Sequence, residues 1–364
     1  MRRIPRISNK FRASKLKATS ISYPGAYIEE VSRGARTIEG VATSVTAFVG
    51  RTVSGPVNEP ATIKNYADFE RVFGGLWEES QLGYAVRSFF QNGGREAIIV
   101  RLTNGGSTVS ISLPTGAASP NDNLELLARN IGSWGRKLRV TVGHDTSDPA
   151  DTSKFNLLIE DPSSGSQEKH INVSVDDSDP RFIGSFLEQR SQLVVAAKAT
   201  NGNFVVPNAR PNAGLVNANI DSGNDGSPLT AAGFTGPGLR ANKEGLYALA
   251  RINLFNLLVI PPYNSNDDVD TSVINEAALY CERRRAFYII DPPSSWTNAA
   301  TAESGIRSLG TTSSNAAVYF PRVRQSDPLQ NNQIITLAPG GTLAGIYVRT
   351  DVSRGIWKAP AGIE

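Results

Sequence analysis

A short apolar run that ends at proline occurs twice in the second half of the chain, and this pattern restricts the fold more than any other feature. Leu254–Ile260 stands before Pro261-Pro262, and Ala286–Ile290 stands before Asp291-Pro292-Pro293. Between these runs, Thr271–Arg285 has the apolar spacing of a helix. Buried strands that alternate with helices are typical of a mostly parallel sheet that is covered on both faces. The pattern therefore predicts an α/β core.

The first third of the chain continues this alternation. Val41–Gly50 is rich in β-branched and small residues and predicts a buried strand. A short helix is expected over Tyr66–Phe73, and Ala97–Val100 predicts a further strand. Between them, a second helix is expected to begin after an N-cap at Ser80 and to stop at Gly93-Gly94. Similar patterns predict helices over Leu239–Ile252, Thr297–Leu309 and Gly341–Trp357, and a strand over Ala316–Phe320.

Residues 104–235 have a different pattern, because short strand candidates alternate there with polar loops. One helix is expected near Arg181–Gln189, and Pro207–Pro228 is rich enough in Asn, Gly, Asp, Ser and Pro to predict a loop. We interpret 104–235 as a mainly β domain inserted into an α/β core that consists of residues 23–103 and 236–364. The strand candidates of the insertion are Leu138–Val142, Phe155–Ile159, Ile171–Val175, Leu193–Ala197 and Phe204–Val206.

The basic charge of the chain is concentrated at its N-terminus. The 364 residues include 37 Lys and Arg and 34 Asp and Glu, a net charge of +3. Residues 1–20 hold seven basic and no acidic side chains, which leaves 30 basic and 34 acidic side chains, a net charge of −4, in residues 21–364. The apolar residues of the first segment are isolated and cannot form a core. The sequence therefore predicts an extended arm over residues 1–22 and a mildly acidic body.

Residues that could perform catalysis are few and poorly placed. The two histidines, His144 and His170, both lie in the insertion without a serine or cysteine in a nucleophile setting, whereas a Ser–His–Asp site needs all three groups together. One cysteine, Cys281, and two separated histidines cannot form a His/Cys zinc site. We therefore expect no catalytic, cofactor-binding or metal-binding residues, no cofactor and no enzymatic activity. Cys281 is expected in the core.

Three further stretches have simpler interpretations than a ligand site. The acid-rich stretches Asp176–Asp179 and Asp267–Asp270 lack the glycine and the distal glutamate of an EF-hand loop, and each is interpreted as a solvated loop or a helix N-terminus. Gly233–Gly238 lacks the spacing of a dinucleotide fingerprint and is interpreted as a hinge. No apolar run approaches the ~18 residues that span a bilayer, and Arg2-Arg3 precedes no signal-peptide stretch. We expect no direct membrane insertion.

Several motifs, in their order along the chain, resemble those of contractile tail sheath proteins. The resemblance covers residues 21–103 and 240–362 and excludes 104–235, the part of these proteins that varies and faces outward. The motifs are Tyr23–Glu30, Ile38–Gly50, Gly55-Pro56, Phe73–Gly75, Leu82–Gly94, Val259–Pro262, Tyr288–Pro293, Ala317–Val323 and Gly341–Gly362. The residues within them that we expect to be structurally important are Tyr23, Pro24, Gly25, Tyr27, Gly93, Gly94, Asp291, Pro292, Arg349, Asp351, Arg354, Trp357 and Lys358.

The resemblance implies a fold and an assembly. The fold is an α/β core of subtilisin-like shape that is used without protease chemistry. The assembly is a set of hexameric rings stacked around an inner tube, which contracts and drives the tube through a target envelope. The N-terminal arm of such sheaths adds a strand to the sheet of a neighbouring subunit. The arm residues expected at this contact are Arg2, Arg3, Ile4, Arg6, Ile7, Phe11, Arg12, Lys15 and Lys17.

The expected partners follow from this resemblance. They are other copies of the chain, an inner tube protein, and baseplate and terminator proteins, in a virion tail or injection particle assembled in the bacterial cytoplasm. Sheath proteins of this family continue well beyond the motif Lys358–Gly362, so the chain resembles either a fragment without the C-terminal part of its core or a short paralogue. The phage tail, the bacteriocin and the injection device remain open as the kind of particle.

Two other functions fit parts of the sequence. A nucleic-acid-binding module could use the basic arm, and its affinity would fall steeply with salt. The acidic body and the lack of interleaved aromatic and basic residues in the arm count against it, and no nucleic acid is expected as a partner. A degenerate hydrolase is the second alternative, and the positions of the two histidines count against it.

Overall fold

The computed structural model describes residues 44–116, 122–264, 267–360 and 362. Residues 42–364 form one compact unit. The strands are β1 (Thr46–Gly50), β2 (Ala61–Ile63), β3 (Ala97–Arg101), β4 (Ser110–Leu113), β5 (Leu124–Ala128), β6 (Arg139–Gly143), β7 (Lys154–Asp161), β8 (Ser166–Ser174), β9 (Val194–Ala196), β10 (Gly214–Asn217), β11 (Leu257–Val259), β12 (Phe287–Ile290), β13 (Ala316–Val318), β14 (Val323–Asp327) and β15 (Gln333–Leu337). The α-helices are α1 (Tyr66–Phe73), α2 (Leu82–Gln91), α3 (Ile183–Arg190), α4 (Ala231–Thr235), α5 (Leu239–Asn242), α6 (Thr271–Arg284), α7 (Ala299–Gly305) and α8 (Gly340–Arg354).

A six-stranded sheet is the centre of the molecule, in the order β13-β12-β11-β1-β3-β2. All neighbours pair in parallel except β2, which lies antiparallel to β3 at one edge. The central strand β1 is buried along its whole length, as expected for a sheet covered on both faces. The prediction of an α/β core with a mostly parallel sheet is therefore confirmed.

Side chains of the central strands alternate between two hydrophobic clusters, one on each face of the sheet. Phe48 joins the cluster formed with α1, α2 and α8, which includes Phe69, Phe89 and Val348. Its neighbours Ala47 and Val49 join the opposite cluster. That cluster also contains Cys281 on α6, which is fully buried, so the prediction that this cysteine belongs to the core is confirmed.

The predicted helix ends follow local backbone chemistry. Helix α1 covers the predicted range and ends at Gly74, whose left-handed φ of 85° suits glycine. The N-cap prediction for α2 is wrong by one residue, because Gln81 is the N-cap. Ser80 still accepts a hydrogen bond from the Leu82 N–H at 3.2 Å, but it also donates to the Arg51 carbonyl. This second bond ties the serine to the end of β1.

Two of the predicted helices are interrupted. The helix predicted over Leu239–Ile252 is wrong as a single element, because α5 ends at Asn242 and a 3₁₀ helix covers Gly245–Arg251. Gly245 has a positive φ of 60° and passes so close to the Phe234 carbonyl that no Cβ fits. The chain must therefore turn there. The helix predicted over Thr297–Leu309 starts at Ala299 and tightens into a 3₁₀ turn at Ile306–Ser308.

Residues 104–235 contain two antiparallel sheets, β10-β6-β7-β8 and β4-β5-β9. Side chains from both sheets share one hydrophobic cluster whose buried members extend from Val109 to Ala218. The loop predicted over Pro207–Pro228 is partly wrong, because β10 lies within it and pairs with β6. The strand predicted over Phe204–Val206 is also wrong, since only an isolated bridge joins Phe204 to Lys198. Residues of β10 are mostly exposed, so their sequence carries no alternation of buried residues.

Two arginines join the central sheet to the segments that enter and leave this region. Arg101, at the end of β3, is 1% exposed and donates to the carbonyls of Thr52, Gly55, Val53 and Ile131. Arg51, after β1, donates to the carbonyls of Asp225 and Gly226. Burial lowers the pKa of Arg101 to about 10, so the side chain remains charged at neutral pH.

Candidate assembly surfaces and the positions of the predicted residues

Helix α8 packs directly against α2 at two glycines. A Cβ atom at Gly341 would overlap the carbonyl oxygen of Ala85, and a Cβ atom at Gly345 would lie 2.5 Å from the carbonyl oxygen of Phe89. Residues four positions apart lie on the same face of a helix. The Gly-x-x-x-Gly spacing of the last motif therefore has a packing cause.

The structure brings three predicted motif residues together at the end of α2. Gly93 has a φ of +104°, and a Cβ atom there would lie 2.8 Å from the Cβ of Arg349 on α8. At Gly94, a Cβ atom would overlap the ring of Phe89. The glycine pair thus ends α2 and makes room for α8.

Asp291 and Pro292 lie at the carboxyl end of β12, beside the first turn of α8. The Asp291 carboxylate accepts a hydrogen bond from the Gly340 N–H at 2.7 Å. The Pro292 carbonyl accepts two hydrogen bonds from Arg322, at 3.0 and 2.9 Å. Arg322 also forms an ion pair with Asp268. Neither Arg322 nor Asp268 is among the residues expected to be structurally important, although they lie in the stretches Ala317–Val323 and Asp267–Asp270.

Asp351 lies on α8 and joins it to the start of the described chain. Its carboxylate accepts a hydrogen bond from the Ser44 hydroxyl at 3.2 Å, and burial raises the pKa of Asp351. On the same helix, Tyr347 stacks on Phe287 with ring centroids 6.0 Å apart and bonds to the hydroxyl of Tyr319. These contacts attach the middle of α8 to the central sheet.

The last predicted motif residues lie at the surface. Trp357 is 84% exposed, and its neighbour Ile356 is 67% exposed. Arg354 is exposed and Lys358 is half-buried. The motif Gly341–Gly362 therefore has a buried part, which packs along α8, and an exposed part at and beyond the end of the helix.

A two-stranded ribbon, β14–β15, lies apart from the other sheets. Within the described residues, neither of its outer edges pairs with another strand. It is attached to the core through Asp327, which is fully buried and accepts a hydrogen bond from the Tyr84 hydroxyl at 3.0 Å. On its outer side, Ile334 is 57% exposed. The ribbon was not predicted, because its strands have one buried end and otherwise polar or exposed residues.

The predicted arm contacts lie outside the part of the chain that the structure describes. Residues 1–43 lie outside the described residues. This range includes all nine arm residues expected at an inter-subunit contact and the motif residues Tyr23, Pro24, Gly25 and Tyr27. Of the strand predicted over Val41–Gly50, residues 41–43 lie outside the described residues, and β1 begins at Thr46 rather than at residue 44 or 45.

The two histidines take part in packing and hydrogen bonding within the insertion. His170 Nε2 lies 3.2 Å from Glu168, and its ring meets Phe186 edge-on at 5.5 Å. Glu168 also accepts a hydrogen bond from the Ser191 hydroxyl at 2.6 Å. Burial would raise the pKa of Glu168, but its hydrogen bonds outweigh burial and lower it. The serine therefore bonds to the carboxylate rather than to the imidazole, which is not the order that activates a serine.

His144 Nε2 lies 2.8 Å from the Pro211 carbonyl.

Among the residues that the structure describes, no three His, Cys, Asp or Glu side chains are grouped to hold a metal ion. In the same residues, no helix has the length and apolar character required to cross a membrane. Asp270 is the N-cap residue of α6, which agrees with the helix N-terminus expected at Asp267–Asp270.

The sequence matches no protein-family model and no curated protein. Solved structures do match. The crystal structure of a sheath tail protein from Listeria innocua matches with a TM-score of 0.54 at 13% identity, over 88% of this chain and 59% of that chain. This chain has the fold of a sheath tail protein. The predicted resemblance to contractile tail sheath proteins is confirmed at the level of the fold.

Two further sheath structures are similar with lower scores. A sheath tail protein from Desulfitobacterium hafniense matches with a TM-score of 0.48 at 13% identity, over 91% of this chain and 62% of that chain. The contracted sheath complex of an extracellular contractile injection system, PVC, matches with a TM-score of 0.42 at 17% identity, over 95% of this chain and 55% of that chain. The chain thus spans between 55% and 62% of the length of these sheath proteins.

Proposed function

We propose that this chain is a structural, non-enzymatic subunit of a contractile tail sheath. The observation that carries the proposal is the shared fold with the Listeria sheath tail protein over 88% of the chain. The order of the sequence motifs along the chain also supports it. A nucleophile arrangement is not needed for this role.

The proposed assembly is a stack of hexameric rings around an inner tube protein. Head-to-tail contacts between copies, repeated with a helical operator, build a filament rather than a closed oligomer. Contraction is then a rigid-body change between two packings of the subunits, which drives the tube through a target envelope. Baseplate and terminator proteins complete a virion tail or injection particle, which is assembled in the bacterial cytoplasm.

Residues 104–235 form the outer domain in this proposal. The separate hydrophobic cluster from Val109 to Ala218 supports an inserted unit. Arg101 and Arg51 attach it to the ends of β3 and β1. We expect the insertion to move with the core when the rings rearrange.

The arm over residues 1–22 pairs with the β14–β15 ribbon of a neighbouring copy in this proposal. A segment without a core of its own gains hydrogen bonds when it adds to a free strand edge. The ribbon has five residues in each strand and offers two edges that are unpaired in the described chain. An isolated two-stranded ribbon is marginally stable, so an added strand would stabilise the ribbon as well as order the arm.

Assembly is tested by producing the full chain together with the inner tube protein of the same particle and imaging the product by negative-stain electron microscopy. We expect sheathed tubes with sixfold symmetry in cross-section. Bare tubes beside a monomeric chain, at concentrations where the tube itself forms, would contradict the proposed function.

The arm contact is tested by disulfide crosslinking between copies. The double variant Ser8→Cys/Thr336→Cys places one thiol in the arm and one on the ribbon, while the native Cys281 is fully buried. We expect a ladder of linked subunits under oxidising conditions. The matched control Ser8→Cys/Thr152→Cys has its second thiol at an exposed position of the insertion. Equal crosslinking of both variants would show that the ribbon is not the acceptor.

The charge of the arm is the second feature of the contact. We expect Arg2, Arg3 and Arg6 changed to Glu to slow assembly at low salt and to weaken its salt dependence, because opposite charges steer association. The control variant changes three exposed basic residues, Lys64, Lys169 and Arg190, to Glu. Assembly that is unaffected by the arm variant at all salt concentrations would contradict this steering.

The same basic arm is the observation that favours nucleic-acid binding as an alternative. Fluorescence anisotropy with a labelled duplex DNA tests it. A nucleic-acid-binding module would bind with an affinity that falls steeply with salt. A sheath subunit should bind weakly at physiological salt and still assemble on tubes.

A further inference from the structure

The first turn of α8 contacts a buried carboxyl group. Asp291 is 8% exposed, and one of its oxygens accepts the hydrogen bond from the Gly340 N–H at 2.7 Å. No side chain separates the two groups, because a Cβ atom at Gly340 would lie 2.7 and 3.0 Å from the two carboxyl oxygens. The start of α8 is therefore held by its backbone against Asp291.

The second oxygen of Asp291 has no hydrogen-bond partner among the described residues. A buried ionised carboxylate normally has both oxygens bonded, since an unpaired buried charge is strongly unfavourable. The hydroxyl of Tyr288, on the same strand, is also buried without a partner. Two buried oxygen atoms of β12 and its carboxyl end therefore lack a hydrogen-bond partner among the described residues, and one of them belongs to a group that can carry a charge.

The positively charged group that acts on Asp291 is Arg322, which bonds to other residues. Arg322 precedes β14 and lowers the pKa of Asp291 through its charge, but its guanidinium bonds to Asp268 and to the Pro292 carbonyl. Asp268, before α6, adds a second negative charge near Asp291 and is itself bonded to the N–H and hydroxyl of Ser294. The charged groups that act on Asp291 are therefore Arg322 and Asp268, with opposite effects.

We propose that Asp291 is a proton-operated latch that holds the N-terminal end of α8 on the central sheet. The neutral carboxyl group fits the buried end of β12, where one of its oxygens has no hydrogen-bond partner among the described residues, and it keeps the bond to Gly340. Loss of its proton places an unpaired negative charge in this site, and the first turns of α8 separate more readily from β12 so that water reaches the carboxylate.

The pH range over which Asp291 loses its proton supports this proposal. Burial raises the pKa of Asp291 to about 7, and the opposing effects of the Gly340 hydrogen bond and Arg322 do not restore its ordinary value of 3.8. The closed form therefore holds its proton up to near-neutral pH, while an open form loses it near pH 4. Between these two values, opening becomes easier by about tenfold for each pH unit.

Amide hydrogen exchange of the full chain tests the latch, with rates corrected for the intrinsic pH dependence of exchange. We expect protection across Gly340–Val348 to fall about 50-fold between pH 5 and pH 7 and to level off above pH 7. The variant Asp291→Asn keeps an acceptor for Gly340 but cannot titrate, and its protection should be independent of pH. An unchanged pH dependence in this variant, or none in the native chain, would overturn the proposal.

Two variants that retain Asp291 keep the test decisive if Asp291→Asn fails to fold. Asp268→Asn removes a negative charge and frees Arg322, so protection should level off at a lower pH than in the native chain. Arg322→Gln removes the positive charge, so protection should level off at a higher pH. Shifts in the same direction for both variants, or none, would overturn the latch. The test uses the isolated chain, so its outcome is independent of the sheath role.

Discussion

At the scale of single residues, buried polar groups decide which contacts are specific. Tyr84 and Tyr66 are both tyrosines of the α1–α2 region, but only the Tyr84 hydroxyl has a partner, Asp327 of the ribbon. Burial and this bond raise the pKa of Tyr84. The pair allows the value of one hydrogen bond to be measured against a matched position without one.

We expect Tyr84→Phe to destabilise the chain and Tyr66→Phe to leave it unchanged or more stable. The first variant leaves one oxygen of the buried Asp327 without its donor, which costs about 1–3 kcal/mol, while the other oxygen keeps the hydrogen bond from the Leu329 N–H. The second variant removes a hydroxyl that is unpaired and buried. Denaturant unfolding followed by circular dichroism measures both. Equal losses would mean that the Tyr84–Asp327 bond does not stabilise the ribbon.

A second prediction at the scale of single residues concerns Arg101. Its side chain satisfies four backbone carbonyls, one of them, Ile131, in the insertion. Arg101→Met keeps the apolar length but leaves buried carbonyls unpaired, and we expect a loss of at least about 3 kcal/mol. The exposed Arg251 changed to Met is the control, with an expected effect within about 0.5 kcal/mol. A small loss for Arg101→Met in urea unfolding would refute the assigned role.

At the scale of elements, the α2–α8 contact shows why a helix sequence contains glycine. Glycine in a helix interior is unfavourable by roughly 0.5–1 kcal/mol relative to alanine, so it is retained where a side chain would collide. Gly341 and Gly345 meet the backbone of α2. Gly233, in α4, has only a methyl group of Leu229 at 3.9 Å from the position of a Cβ atom.

These two environments give opposite expectations for the same substitution. Gly345→Ala should destabilise the chain by about 1–3 kcal/mol, because the added methyl must displace α8 from α2. Gly233→Ala should be neutral or stabilising by up to about 1 kcal/mol, because it adds helix propensity in open space. Thermal unfolding of the two variants compares them. A stabilising effect at Gly345 would contradict the close helix contact.

At the scale of the whole molecule, Asp291 should also control how global stability depends on pH. Its folded pKa of about 7 lies above the ordinary value of 3.8, so the folded state binds the proton more tightly than the unfolded state does. The contribution of this residue to stability is therefore fully present below about pH 4 and is lost as the pH rises to about 7. The complete loss corresponds to about 4 kcal/mol at most.

We expect the native chain to lose stability relative to Asp291→Asn between pH 4.5 and pH 7. Other carboxylates act in the opposite direction, since hydrogen bonds from Ser153 and Lys154 lower the pKa of Asp151 to about 2. The comparison with the variant cancels their contribution. Urea unfolding at several pH values measures the difference, and a difference that does not change with pH would refute the assignment to Asp291.

The elements that the sequence predicts well are those whose own residues contain the cause. Helix α1 ends at a glycine with a left-handed backbone, and β11 and β12 are apolar runs that stop before proline. The ribbon was missed because its side chains are mostly polar or exposed. Strand β10 was missed because it is mostly exposed and pairs with the distant strand β6. Local composition carries no record of such pairing.

The sequence by itself determined the α/β class, the alternation of strands and helices, the burial of Cys281 and the resemblance that the fold likeness later confirmed. Only the tertiary structure decided which motif residues pack in the interior and which are exposed to solvent. Gly341 and Trp357 lie in one motif and Asp291 lies in another. Gly341 meets a helix backbone, Asp291 is buried beside a helix terminus, and Trp357 is 84% exposed. Their environments depend on chain segments that lie up to about 250 residues away, such as Ala85 beside Gly341. Hydrophobic pattern and turn chemistry act within a few residues, whereas close packing and desolvation exist only after distant segments have met.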